Sequence, residues 1–242
     1  MKLKEFDLDM PYIRDEEYIA LLMKETDCDR REAFNKYWID VGSWKRRKFN
    51  VETRCVTSFF ERIFERIDTK DCWKILVECI DGECKTSVNN LLGVYSVQVE
   101  NDYDYFENLE DELSKKKLAL ELLMTGIQKV AASQNWDMEP FECAYNKILE
   151  AEYRNEWVWK KPVSSPDRKH RAYIFLYHEL KQIDLFLIIT DKSGKEIHRE
   201  KILTEIPDEW EYARHLGAIK WHDNRKVALI NKQRDNEWIA EF

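Results

Sequence analysis

Only 6 glycines and 5 prolines occur among the 242 residues. So few glycines leave little material for a phosphate-cradling loop, and no GxGxxG or Walker pattern is present. HExxH and GxSxG are missing too, which removes two familiar routes to hydrolysis. No uninterrupted apolar run approaches the roughly 18 residues of a membrane helix. The opening "MKLKEFDLDMPYIRDEEY" has no apolar core of signal-peptide length, and acidic residues interrupt it early. A cytoplasmic location is the expectation. The cysteines, at positions 28, 55, 72, 79, 84 and 143, are scattered in a chain too large to need disulfide staples, so reduced thiols are expected. Positive charge is short as well: 39 Lys and Arg stand against 47 Asp and Glu, a net charge of −8. That balance argues against a general nucleic-acid binder and suits a basic partner.

Hydrophobic residues make up 44% and charged residues 36%, the composition of a folded chain without a low-complexity block. Residues 1–68 read as helices. Asp15 is placed to cap the first, Asp27 precedes a second, and Gly42 is positioned to stop it. A third helix is expected from about Asn50, with Val56, Phe59, Ile63 and Ile67 along one stripe. From Trp73 the period changes to two, and "WKILVECIDGECKTSV" reads as strand, Asp-Gly turn, strand. "GVYSVQVE" adds another strand. One long helix is then expected from Asp104, capped by Asp104 with Glu107, and a further one from Glu139-Pro140. "KKPVSSPDRKH" (160–170) reads as a boundary loop, followed by strands with turns at "DKSG", Asp223-Asn224 and Asp235-Asn236. The expected fold class is α+β: N-terminal helices over 1–68, a β-hairpin plus helices over 69–160, and a C-terminal antiparallel β-sheet over 161–242, the last two able to form one continuous domain.

The chemistry is sparse. In the expected hairpin Cys79 faces Cys84 across the two strands, as two small apolar residues directed at the core. Zinc would want two such pairs, or cysteine with histidine, at short spacing, and neither is present. No metal or other cofactor is expected. His215 and His222, with Asp223 nearby, are the residues from which a metal-assisted hydrolase or nuclease would have to be built, and that is the alternative reading. "WKRRKF" (44–49) mixes four cations with Trp44 and Phe49, yet net acidity and shortness favour a solvated loop over a nucleic-acid or membrane grip.

The strongest surface signal is "ENDYDYFENLEDE" (100–112), which carries Asp102, Tyr103, Asp104, Tyr105, Glu107, Glu110, Asp111 and Glu112. Helix capping accounts for part of this charge. Tyrosines among carboxylates are also what a basic protein surface binds, so these eight residues are the candidate partner-binding set. The C-terminal stretches "GAIKWHDNRKVALIN" and "NEWIAEF" resemble bacterial polymorphic-toxin immunity proteins, which are acidic α+β proteins. The resemblance covers at most the last third and carries no functional residue across. It implies a non-enzymatic inhibitor that neutralises a cognate toxin by occluding its active site, with a protein partner and neither nucleic acid nor membrane.

Overall fold

A strand, not a helix, opens the chain: "EFDLD" forms β1 (Glu5–Asp9), with Phe6 and Leu8 buried. The alternation of apolar and acidic residues puts one face on the core and the other outward. In the computed structural model, which describes residues 1–11 and 15–242, the chain divides into two compact units, Met1–Tyr153 and Arg154–Phe242. The class is α+β, with helices in the first unit and antiparallel sheets in the second.

In the first unit β1 lies parallel to β2 (Lys74–Ile80), and β2 lies parallel to β4 (Val94–Glu100). β3 (Asn89–Leu91) pairs antiparallel on the outer edge of β4, giving the order β1-β2-β4-β3. The expected 75–88 hairpin therefore does not form. A strand has two edges, and β1 and β4 occupy both edges of β2, so a returning strand has nowhere to pair. Asp81-Gly82 still turns the chain, with φ +104° at Gly82, but residues 83–88 that follow are not strand. The two-residue hairpin lies one step later, where Leu92 and Gly93, both at positive φ, join β3 to β4.

The helices differ from expectation where side chains compete for backbone partners. α1 (Glu16–Thr26) is capped by Asp15 as expected, but Asp29 rather than Asp27 caps α2 (Arg30–Tyr37). Gly42 does not end the helix: a π-helical turn, Trp38–Gly42, leads straight into α3 (Ser43–Ile63). A Cβ at Gly42 would lie 2.7 Å from the Trp38 ring, so the glycine makes room for that indole. "WKRRKF" is thus the start of α3 and not a loop. The long helix expected from Asp104 is two helices. α4 (Tyr103–Asn108) is capped by Asp102, whose carboxylate accepts the Tyr105 N–H. α5 (Glu112–Gln134) starts afresh because Asp111 accepts the N–H groups of Leu113 and Ser114. α6 (Glu139–Glu150) begins at Glu139-Pro140 as expected.

α3 packs on β1, and α5 on β1, β2 and β4. Phe6 of β1, Phe60 of α3, Phe64 and Phe141 of α6 form one aromatic cluster, with Phe6–Phe60, Phe6–Phe64 and Phe64–Phe141 centroids 4.9, 5.0 and 5.0 Å apart. α5 comes close to the sheet at Gly126, where a Cβ would lie 2.2 Å from a Val77 methyl. Gly126→Ala should therefore destabilise the protein by about 1–3 kcal/mol, although alanine is the better helix former. Chemical denaturation tests this: a variant as stable as the parent would mean the helix can lift off the sheet at no cost.

In the second unit β5 (Asn155–Ser164), β6 (His170–His178), β7 (Ile183–Asp191) and β8 (Glu196–Glu205) form an antiparallel meander. Residues 160–164, expected as loop, belong to β5. It is an edge strand, and the register shift between Trp159 and Val163 accommodates Pro162 there. After the short α7 (Glu209–Tyr212), β9 (Ala218–Trp221), β10 (Lys226–Ile230) and β11 (Glu237–Glu241) close a second sheet in the order β11-β10-β9. Ile174, Leu185 and Leu187 of the first sheet and Val227, Leu229 and Ala240 of the second share one core. Among the described residues no helix is long and apolar enough to cross a membrane.

Candidate functional site: an acidic crevice at the strand ends

The three parallel strands β1, β2 and β4 end on the same side of their sheet. The next residues, Met10, Asp81 and Asn101, line a cavity of about 480 Å³. Connections diverge beyond the carboxyl ends of parallel strands, and the space they leave is where such sheets place ligands. The start of α1 adds Asp15, Glu16 and Glu17, and the start of α4 adds Tyr103 and Asp104. Lys45 of α3 is the one cation lining it among the described residues.

Among the described residues, five carboxylates stand against one ammonium at the crevice, an excess of negative charge. Some of that charge is engaged. Asp15 accepts the Tyr18 N–H at 2.9 Å as the α1 cap, and Glu16 takes Arg30 on both oxygens at 2.9 Å. Glu17, Asp81 and Asp104 are exposed, and their carboxylates make no hydrogen bond or ion pair among the described residues. Below them, Asp9 is buried at the end of β1, accepting the Met10 N–H at 2.8 Å and both donor sides of the Arg46 guanidinium. Lys45 stands 5.4 Å from the centre of the Tyr103 ring. Burial and then the neighbouring Glu107 hold the Tyr103 phenol well above its ordinary range. Glu107 bonds Lys48 at 2.7 Å, which lowers the carboxyl and raises the amine. Between α3 and α5, Glu52 and Lys115 form an ion pair at 2.9 Å with 6% and 8% of their side chains exposed.

The structure sorts the eight sequence-derived candidates. Asp102 and Asp111 are helix caps, Tyr103 is a buried wall of the crevice, and Glu107 is bound by Lys48. Asp104 stands on the crevice rim, Tyr105 is 60% exposed, and Glu110 and Glu112 are exposed. Sequence reasoning missed Asp15, Glu16, Glu17, Asp81, Lys45 and Asn101. The signal was the alternation of Phe6, Leu8 and Met10, since recognising β1 puts three strand ends side by side.

Cys79 and Cys84 do not face each other across a hairpin; Cys79 pairs in register with Val99 of β4. Burial pushes the Cys79 thiol far above its ordinary value, Asp9 adds to this, and burial also raises Cys72 to about 11. All six cysteines are thiols. At pH 8 iodoacetamide should modify exposed Cys143 first and leave Cys72 and Cys79 essentially untouched in the native state. Peptide mapping reads this directly, and early labelling of Cys79 would contradict its placement.

The other candidate chemistry is dispersed. His215 Nε2 lies 3.0 Å from Glu205 and packs on Trp238, whereas His222 Nε2 lies 3.0 Å from Glu237. Asp223 accepts the N–H groups of Arg225 and Lys226, closing the turn between β9 and β10. Among the described residues no three His, Cys, Asp or Glu side chains are grouped to hold a metal ion. In the basic run, Arg46 and Lys48 are bound to the chain's own carboxylates and Lys45 lies over Tyr103.

Neither protein-family models, curated proteins nor solved structures give a match to this chain.

Proposed function

We propose that this chain is a non-enzymatic inhibitor that binds a basic protein partner through the acidic face around the crevice, and that the partner is a toxin domain. The observation that carries this reading is the set of exposed carboxylates Glu17, Asp81 and Asp104, unneutralised among the described residues, with exposed Tyr105 adjoining Asp104 in sequence. Unpaired like charges at one place cost stability, and a cationic surface removes that cost on binding. Tyrosine at such a site supplies a large contact area with few rotatable bonds. The likeness of the C-terminal stretches to toxin immunity proteins points the same way, as does the net charge of −8. Inhibition would follow from occlusion: an acidic face seated on a cationic catalytic cleft excludes its substrate.

The test begins with affinity capture of the partner from the native cell. The purified partner's activity should then be lost on adding one equivalent of this protein. A tight complex in which the partner keeps full activity would leave a binding protein but remove the inhibitor.

A further inference from the structure

We propose that β3 is a docking edge for a second copy of this chain, the two β3 strands pairing antiparallel across a two-fold axis at Asn90. The sheet of the first unit has two edge strands, β1 and β3, and the two edges are finished differently. On β1 the main-chain groups of Phe6 are met by α3: the N–H donates to Glu61 Oε1 at 2.9 Å, and the C=O accepts from Arg54 Nη1 at 3.4 Å. Where β4 runs on past β3, Lys129 Nζ donates to Gln98 O at 2.8 Å. β3 has no such guard among the described residues. Leu92 and Gly93 form a two-residue turn, so Leu91 and Val94 exchange both main-chain hydrogen bonds, and Asn90 directs its N–H and C=O away from β4. Those two groups meet no partner among the described residues. Edge strands are normally blunted by charge, proline or a bulge. Residues 86–99 contain no charged residue and no proline, in a chain that is 36% charged. Leu91 and Leu92 stand 74% and 90% exposed at the tip. Leu92 holds φ +54°, a conformation that asparagine takes far more readily than leucine. The turn is nonetheless held fast: Trp73 Nε1 donates to Leu92 O at 3.0 Å, and Asn90 Oδ1 accepts the Gly93 N–H at 3.0 Å. Two leucines are thus presented on a fixed support, which lowers the ordering cost of binding.

The occupant follows from the chemistry of the edge. An open N–H and C=O on a strand are satisfied by another strand, and an uncharged edge fits an uncharged one. A second β3 supplies both. Antiparallel pairing centred on Asn90 makes main-chain hydrogen bonds in both directions between the two asparagines. It sets Leu91 opposite Asn89 of the second copy and Leu92 opposite Val88 of the second copy, and brings no like charges together. Elsewhere two copies of a chain at −8 repel, so the neutral edge is where they meet with least opposition. Lipid is the poorer fit: two leucines bury too little for stable anchoring, and a bilayer core offers the main chain of Asn90 nothing. Pairing uses the same edge on both copies, so assembly stops at two.

Sedimentation equilibrium of the whole chain tests this. The short strand makes a small interface, so a monomer–dimer equilibrium with a dissociation constant on the order of 10–100 µM is expected. Leu92→Asn gives the turn its preferred Asn-Gly sequence, so that variant should melt no lower than the parent while dimerising at least about tenfold more weakly. Leu91→Lys and Leu91→Glu should each be monomeric, and an equimolar mixture of the two should recover a dimer. A parent that stays monomeric at about 500 µM would overturn the proposal. So would a dimer indifferent to Leu92→Asn or Leu91→Lys, a Lys and Glu mixture that stays monomeric, or assembly beyond two copies. A monomeric parent that floats with neutral phosphatidylcholine vesicles would make the tip a lipid anchor instead.

Discussion

Lys115→Met should destabilise the protein by about 3–5 kcal/mol, the cost of leaving a buried charge without its partner. Lys115 and Glu52 are both nearly inaccessible, and the 2.9 Å contact between them joins α5 to α3. Lys115 also lies 5.2 Å from the Phe106 ring, so its charge is met on two sides. Methionine keeps the length and packing of the stem but abandons the Glu52 carboxylate in a place water does not reach. The Glu52→Leu, Lys115→Met double variant removes both charges and should recover most of the loss, since buried pairs are often replaceable by apolar residues. Denaturant titration of the single and double variants measures both. Because the chain forms two compact units, a biphasic transition is admissible, and the loss then belongs to the step in which Met1–Tyr153 unfolds. A double variant as destabilised as the single one would show that the stranded charge is not the cause.

The second large effect is kinetic. Reversing Asp81 and Asp104 to lysine should slow association with the proposed basic partner by about tenfold to a hundredfold at low salt, because steering comes from the field and not from contact. Tyr105→Ala should act on the other limb. If its 60% exposed ring is an anchor, losing it raises the dissociation rate by the equivalent of about 1–2 kcal/mol. Asp102→Ala is the internal control: it removes the α4 cap at a cost of about 1 kcal/mol in stability, whether or not a partner exists. Surface plasmon resonance separates the two rates. Equal effects of all three substitutions would mean that α4 merely folds poorly when altered.

Much of the architecture was legible because local patterns agree with tertiary demands. Asp15 as a cap, Glu139-Pro140 as a helix start, and the nearly continuous burial of β7 needed no long-range information, whereas β6 buries only alternate residues. The failures share one physical origin. The Asp-Gly turn was a sound local signal, yet parallel pairing with β1 and β4 took both edges of β2. β1 itself was hidden because five residues with three acids offer little β-propensity until a partner strand is present. The caps were misassigned for a related reason. Asp102, Asp104 and Asp111 all stand near a helix start, and choosing among them required knowing that the first helix ends at Leu109 in extended backbone. Of the candidate site, the acidic stretch yielded Tyr103 and Asp104. Glu17, Asp81 and Asn101 belong to it only because three strands end together.

The most direct measurement is the association rate of this protein with its captured partner as a function of ionic strength, parent beside the Asp81→Lys, Asp104→Lys variant. The expected result is a steep fall in the parent's rate as salt rises, and a slower, much flatter profile in the variant that converges on the parent at high salt. A parent rate indifferent to salt, or a variant that associates as fast as the parent at low salt, would contradict an acidic docking face.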